Sequence, residues 1–152
     1  MMLRASFDKR LIRYKNIAFK SEFLTGLLSF LDKDGSSLKD FSINSGGWGR
    51  RPIDAGDWIV SEMFQQPIGK YVPDSLAPYK GSQFIWYARL TPKFKTDQVG
   101  ILIHPDNGIT GTMGCIGIPL DQEQEVLKYL NVVLKNMGRT ETVCEVVKNI
   151  VA

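Results

Sequence analysis

Residues 99–118 read VGILIHPDNGITGTMGCIGI, and the two halves of this stretch ask for different backbones. Val99–Ile103 is an unbroken apolar run, the pattern of a strand buried on both faces, and His104 ends it. Pro105-Asp106-Asn107-Gly108 is first of all a turn sequence. Beyond it, glycines on both sides of Cys115 allow a sharp backbone turn there.

Working outward, most segments read as strands. Phe84–Leu90 precedes the buried run, and Asp57–Glu62 lies upstream of it. Ile17–Phe19, Phe23–Leu31 and Leu38–Asn44 are apolar or alternating, and Asp34-Gly35 suits a hairpin turn between the last two. The stretch SGGWGRRPIDAGDWIV (45–60), rich in glycine, reads as a tight, shaped loop entering a strand. Residues 65–82, with prolines at 67, 73 and 78, form an irregular excursion of the kind often devoted to function. One helix is expected, with Asp121 as its cap and Gln124 as capping-box partner. Val126, Leu127, Leu130, Val133 and Leu134 form its apolar stripe, and it ends before Gly138. Thr142–Ile150 supplies a last strand. The prediction is a mostly-β domain, a sandwich or barrel of about eight strands with one principal helix packed on it, spanning 1–152 as a single unit.

Composition narrows the partners. The 152 residues suffice for one domain with a real core. Lys and Arg number 19 against 16 Asp and Glu, and apart from a modest N-terminal group (Arg4, Lys9, Arg10, Arg13, Lys15, Lys20) the cations are dispersed, so no nucleic-acid partner is expected. No apolar run approaches a membrane span, and the N-terminus lacks the apolar core of a signal peptide. The two cysteines differ in setting: Cys144, in TVCEVV, reads as a small buried hydrophobe, and no disulfide is expected.

The chemistry gathers around Cys115. A thiolate, not a thiol, is the nucleophile, so a catalytic cysteine needs a base or a positive charge beside it, and His104 is the only imidazole in the chain. The amides of Gly114 and Cys115 are candidate oxyanion donors, and Thr112 or Thr110 could hydrogen-bond the imidazole or a substrate. Trp48, Trp58, Trp86 and Tyr87 could line a groove, although aromatics in strands usually pack in the core. With one histidine and no cysteine pair at ligand spacing, no metal or other cofactor is expected.

IHPDNGITGTMGCIGI resembles the active-site signature of the YkuD-type L,D-transpeptidases, in which a histidine ends a strand and a Ser/Thr-x-Gly-Cys-Ile segment follows. Thr112-Met113-Gly114-Cys115-Ile116 matches that segment position by position, and the short interval from His104 is closer to the compact branch that includes type VI secretion effectors. The upstream SGGWGRRPIDAGDWIV resembles the Gly- and Pro-rich segment that precedes a core strand in the family, with Ile53, Gly56 and Trp58 in corresponding places. The resemblance implies a YkuD-like fold and acyl transfer on peptidoglycan stem peptides through a Cys115 thioester, resolved by an amine or by water. It also implies action at the cell wall or periplasm, delivery by a phage or secretion apparatus, and a cognate immunity or delivery protein as partner. Housekeeping members carry arginine two positions after the cysteine where this chain has Gly117; Arg50, Arg51 and Arg89 are the candidate substitutes. A phage-type endopeptidase and a non-catalytic wall-binding module are the alternatives.

Overall fold

The computed structural model describes residues 2–16, 19–48, 50–107, 112, 114–136 and 141–150, with the backbone alone at 13–16, 19–21, 135 and 136. Eight strands close into a barrel: β1 (Met2–Asn16), β2 (Phe19–Leu31), β3 (Ser37–Gly46), β4 (Gly56–Pro67), β5 (Phe84–Pro92), β6 (Ile101–Asp106), β7 (Ile116–Pro119) and β8 (Glu141–Lys148). Two antiparallel meanders, β1-β2-β3 and β4-β5-β6, are joined through β7 on one side and β8 on the other. Each joining strand is antiparallel to one neighbour and parallel to the other, so the barrel has two parallel seams, β6 with β7 and β1 with β8.

Alternation places the core. In β1, Leu3, Ala5 and Phe7 point inward; in β3, Phe41 and Ile43; in β6, Ile101 and Ile103; in β7, Ile116 and Ile118. Trp58 and Trp86, from β4 and β5, are fully buried there. The mostly-β architecture with one principal helix therefore holds, but two strands differ from the expectation. The N-terminal residues, read from the sequence as a basic segment, form the long β1. Ile116–Pro119, a segment that no local pattern assigns, forms β7 because β3 and β6 both pair with it. Ile17 and Gly138 lie outside the described residues.

The helix α1 (Glu123–Asn131) continues as a π-helical turn, Val132–Asn136, and buries Val126, Leu127, Leu130, Val133 and Leu134 as the stripe predicts. Its cap is Gln122 rather than Asp121, with no side-chain cap bond, and Gln124 donates instead to the Ser82 hydroxyl. The helix's first residue has a tertiary role. The Glu123 carboxylate, 1% exposed, accepts the Ser82 N–H (2.9 Å), the Ser82 hydroxyl (2.7 Å) and the Trp86 indole N–H (2.7 Å). It ties the end of the 65–82 excursion to both the helix and the barrel. Glu123→Ala should lower stability by about 2–4 kcal/mol in urea unfolding, because buried donors lose their acceptor. Glu123→Gln, which keeps one acceptor oxygen, should recover part of that loss. Equal stability of the alanine variant and the parent would remove Glu123 from this role.

Candidate active site

His104 and Cys115 face outward at the β6–β7 seam. Ile103 pairs with Ile116 and His104 with Gly117, both inward isoleucines alternating with outward neighbours. That register sets Cys115 beside Leu102, two residues before His104 on the same face. Adjacent strands and a two-residue rise separate such diagonal positions by roughly 8 Å at Cα, a span two side chains can close. The Leu102 N–H donates to Cys115 Sγ at 3.3 Å, and the thiol points to the Gly100 carbonyl at 3.9 Å. Among the described residues, the sulfur's hydrogen bonds thus go to β6 backbone and not to the imidazole.

The histidine is prepared as a base. His104 Nδ1 lies 2.6 Å from the Pro105 carbonyl, and since a carbonyl can only accept, Nδ1 carries the proton and Nε2 keeps its lone pair. The residue is 9% exposed, and burial pushes its pKa below the ordinary 6.5, against the pull of the Pro105 carbonyl and the Asp106 charge. The neutral ring therefore persists throughout the neutral range. Burial also pushes the half-buried Cys115 thiol up, opposed by the Leu102 N–H and the Arg50 charge. The resting pair is thiol and neutral imidazole rather than thiolate and imidazolium.

The loop that carries Cys115 is braced on three sides. Gly114 has φ +99°, a conformation that favours glycine, and a Cβ there would lie 3.2 Å from the Arg51 carbonyl. Ser45, fully buried, donates its hydroxyl to the Gly114 carbonyl (3.2 Å) and accepts the Ile53 N–H (2.9 Å). In a trans peptide the N–H points opposite to the C=O, so with the Gly114 carbonyl turned inward to Ser45, the Cys115 N–H is directed away from it. That N–H remains a candidate oxyanion donor. Thr112 donates its hydroxyl to the Cys115 carbonyl (2.5 Å) and accepts the Gly46 N–H (3.1 Å), while its own N–H donates to the Gly46 carbonyl (2.6 Å). Thr112, expected at the substrate or the imidazole, here engages two backbone groups with its buried hydroxyl and so braces the loop. Thr110 lies outside the described residues.

The three arginines part company. Arg50 is exposed and its charge bears on Cys115. Arg51 pairs with Asp54 and Asp97, and Arg89 with Glu62 at 2.9 Å, so neither presents an unpaired cation. Trp48 is half-buried. Position 117 has no room for a side chain: a Cβ would sit 2.8 Å from Asn44 Oδ1 and from Thr112 Cγ2. Over this gap Asn44 Nδ2 donates to Asp106 at 2.8 Å, linking β3 to the end of β6.

Sequence reading missed Tyr79. The 3₁₀ turn Ala77–Tyr79 lies over β6, held by Asn107 Nδ2 donating to the Ala77 and Lys80 carbonyls (2.9 and 2.8 Å). It sets the Tyr79 ring edgewise on His104 at 5.2 Å between centroids, and Tyr87 and Phe64 extend the row of rings. No periodicity marks Tyr79 in a proline-rich excursion. Two surface hollows of about 420 and 410 Å³ lie elsewhere, lined by Met2, Ile59 and Thr142 and by Thr25, Leu27 and Asn44 among others. Among the described residues no three His, Cys, Asp or Glu side chains gather to hold a metal, and no helix is long and apolar enough to cross a membrane.

Comparison with protein-family models, with curated proteins and with solved structures finds no match to this chain.

The two thiols should differ sharply in reactivity. Cys144 is fully buried between β1, β4 and β8, and burial pushes its pKa up to about 12. Iodoacetamide should label Cys115 first, at a rate that keeps rising with pH through the ordinary thiol value of 9.0. A rate that levels off near neutrality, or labelling of Cys144 first in the folded protein, would contradict this assignment.

Proposed function

We propose that the chain is a cysteine acyltransferase acting on peptidoglycan stem peptides, of the L,D-transpeptidase or L,D-carboxypeptidase type. The observation that carries the reading is the placement, on one face of the β6–β7 seam, of the Cys115 thiol beside Leu102 and of a histidine, two residues on, whose Nε2 lone pair is set by the Pro105 carbonyl. The resemblance of residues 103–118 to the YkuD signature supplies the substrate class. In the first step Nε2 removes the Cys115 proton as sulfur attacks the carbonyl of an L-centre. The Cys115 N–H stabilises the oxyanion, and D-alanine leaves with the proton returned by the imidazolium. An amine or water then resolves the thioester. Catalytic hydrogen bonds are often long before substrate binds, and here the sulfur must leave Leu102 to meet the imidazole. The arginine that housekeeping members carry two positions after their cysteine would have no room at Gly117, which leaves Arg50 as the cation beside the sulfur.

The test is incubation of purified muropeptides with the protein and with Cys115→Ala, read by mass. Loss of terminal D-alanine or a new 3→3 cross-link from the parent alone supports the proposal. A split cross-link alone supports the endopeptidase. Unchanged substrate with the parent overturns the enzymatic reading, and the sulfur's bonds to β6 backbone would then favour the non-catalytic wall-binding module.

A further inference from the structure

The β1–β2 hairpin is longer than the barrel needs. Strand β8 pairs with β1 only over Leu3–Phe7, and β3 pairs with β2 only over Phe23–Leu31. Among the described residues, 12–16 and 19–22 pair only with one another, as a two-stranded ribbon that passes beyond the barrel wall, and Lys9, Arg10 and Leu11 form its base against Thr25, Leu24 and Phe23. A free ribbon of this kind is marginal in water, and its open edges invite a partner.

The ribbon also carries the molecule's charge. Over residues 8–23, Lys9, Arg10, Arg13, Lys15 and Lys20 stand against Asp8 and Glu22, a net of +3. The whole chain is +3, so the remainder of the protein is neutral. Lys9 and Arg10 are exposed, and the Arg10–Glu22 pair is long, at 3.6 Å, and open to solvent.

The ribbon's root and the cysteine share one rim. Phe23, where β2 leaves the barrel, pairs with Gly46 at the end of β3. Gly46 in turn takes the N–H of Thr112, whose hydroxyl holds the Cys115 carbonyl. On the other side of the root, Lys148 feels the charges of Glu22, Asp54 and Arg51 together, so the ribbon's base and the 50–54 loop lie close. The charge of Arg50, in that loop, bears on the sulfur.

We propose that this ribbon is a docking arm for a carboxylate-bearing polymer, the peptidoglycan itself, which it holds against the rim where Cys115 opens; the choice of polymer rests on the function proposed above. Stem peptides carry free carboxylates at close intervals, whereas a neutral barrel has no attraction of its own for them. A cationic arm raises the local concentration of such a polymer in a salt-dependent way. Its two strands can lie along an extended chain without rearranging the site.

The test is co-sedimentation of the full-length protein with purified sacculi at low and high salt. The parent is compared with a Lys9→Gln, Arg13→Gln, Lys15→Gln variant, whose fold is checked by its thermal midpoint and by unchanged Cys115 alkylation. At low salt the variant should bind about tenfold more weakly, and high salt should bring the parent down to the variant. Sacculi whose carboxylates have been amidated should bind both weakly. Equal binding of variant and parent overturns the proposal and leaves the lysines as guards against edge pairing. Tighter binding of the parent to duplex DNA or to anionic vesicles than to sacculi also overturns it. Arm-dependent binding without muropeptide turnover would sink the enzymatic reading and spare the arm; turnover with arm-independent binding would do the reverse.

Discussion

Exchange of His104 for glutamine should slow muropeptide turnover by about 100- to 10,000-fold at neutral pH. Burial favours the protonated thiol, and in the proposed function the base is Nε2 of a ring kept neutral by its own burial. Without the ring, sulfur must lose its proton to water before it attacks. The variant's rate should therefore climb with pH across the thiol's raised range, whereas the parent's should already be established near neutrality. The folded protein favours the neutral ring, so the stability that His104 contributes is present above its ordinary pKa of 6.5 and is lost as pH falls toward its lower folded value. The parent should thus be least secure in mild acid, and the glutamine variant should lose that dependence. Initial rates and thermal midpoints against pH, measured on both proteins, decide the matter. A glutamine variant as fast as the parent would mean that another base serves Cys115.

Gly26→Ala should destabilise the protein by more than about 4 kcal/mol, or prevent its folding. A Cβ at this position would lie 1.9 Å from the Ser6 carbonyl oxygen and 2.7 Å from Phe7 Cα, all of it backbone that cannot swing aside. The clash falls where the β1–β2 register shifts between Phe7 and Lys9, a bulge that brings the two strands together. Relief requires β1 to withdraw from β2, which also loosens β1 from β8. Leu3 pairs with Cys144 across that parallel seam, so Cys144 reports the damage. In urea the midpoint should fall steeply, and Cys144 should become open to alkylation under conditions where the parent protects it. A variant that keeps Cys144 protected and unfolds at the parent's midpoint would show that the bulge absorbs the methyl group.

Local patterns were legible wherever one period ruled. The helix stripe from Val126 to Leu134 follows helical spacing and is buried as read, whereas the apolar run is covered on both faces only from Ile101 onward, because β6 begins there and Val99 before it is 79% exposed. The hairpin at Asp34-Gly35 was equally plain, with Gly35 at φ +85°. β1 escaped notice although Leu3, Ala5 and Phe7 alternate with polar residues, because the basic residues that follow drew the reading toward charge. β7 has only four residues, and what makes it a strand is two neighbours distant in sequence, information no local window holds. The site divides in the same way. His104 and Cys115 stand out by residue type and spacing, but the tautomer depends on one carbonyl, and Tyr79 reaches the imidazole only because Asn107 and Glu123 fold the excursion back. Thr112 likewise stands out by residue type, but only the fold shows its hydroxyl engaged by the Cys115 carbonyl and the Gly46 N–H.

The stave that begins just after the sulfur is held to one of its neighbours by little. β7 meets β3 at only two residue pairs, Asn44 with Gly117 and Ser45 with Ile116, while β1 and β2 are zipped along nearly their whole length. Amide exchange should therefore open β7 from β3 before it opens the long β1–β2 and β4–β5 pairings inside the barrel, with the remaining staves still hooped. A thiol mounted at the end of a slat that can breathe could then leave Leu102 without asking the barrel to come apart.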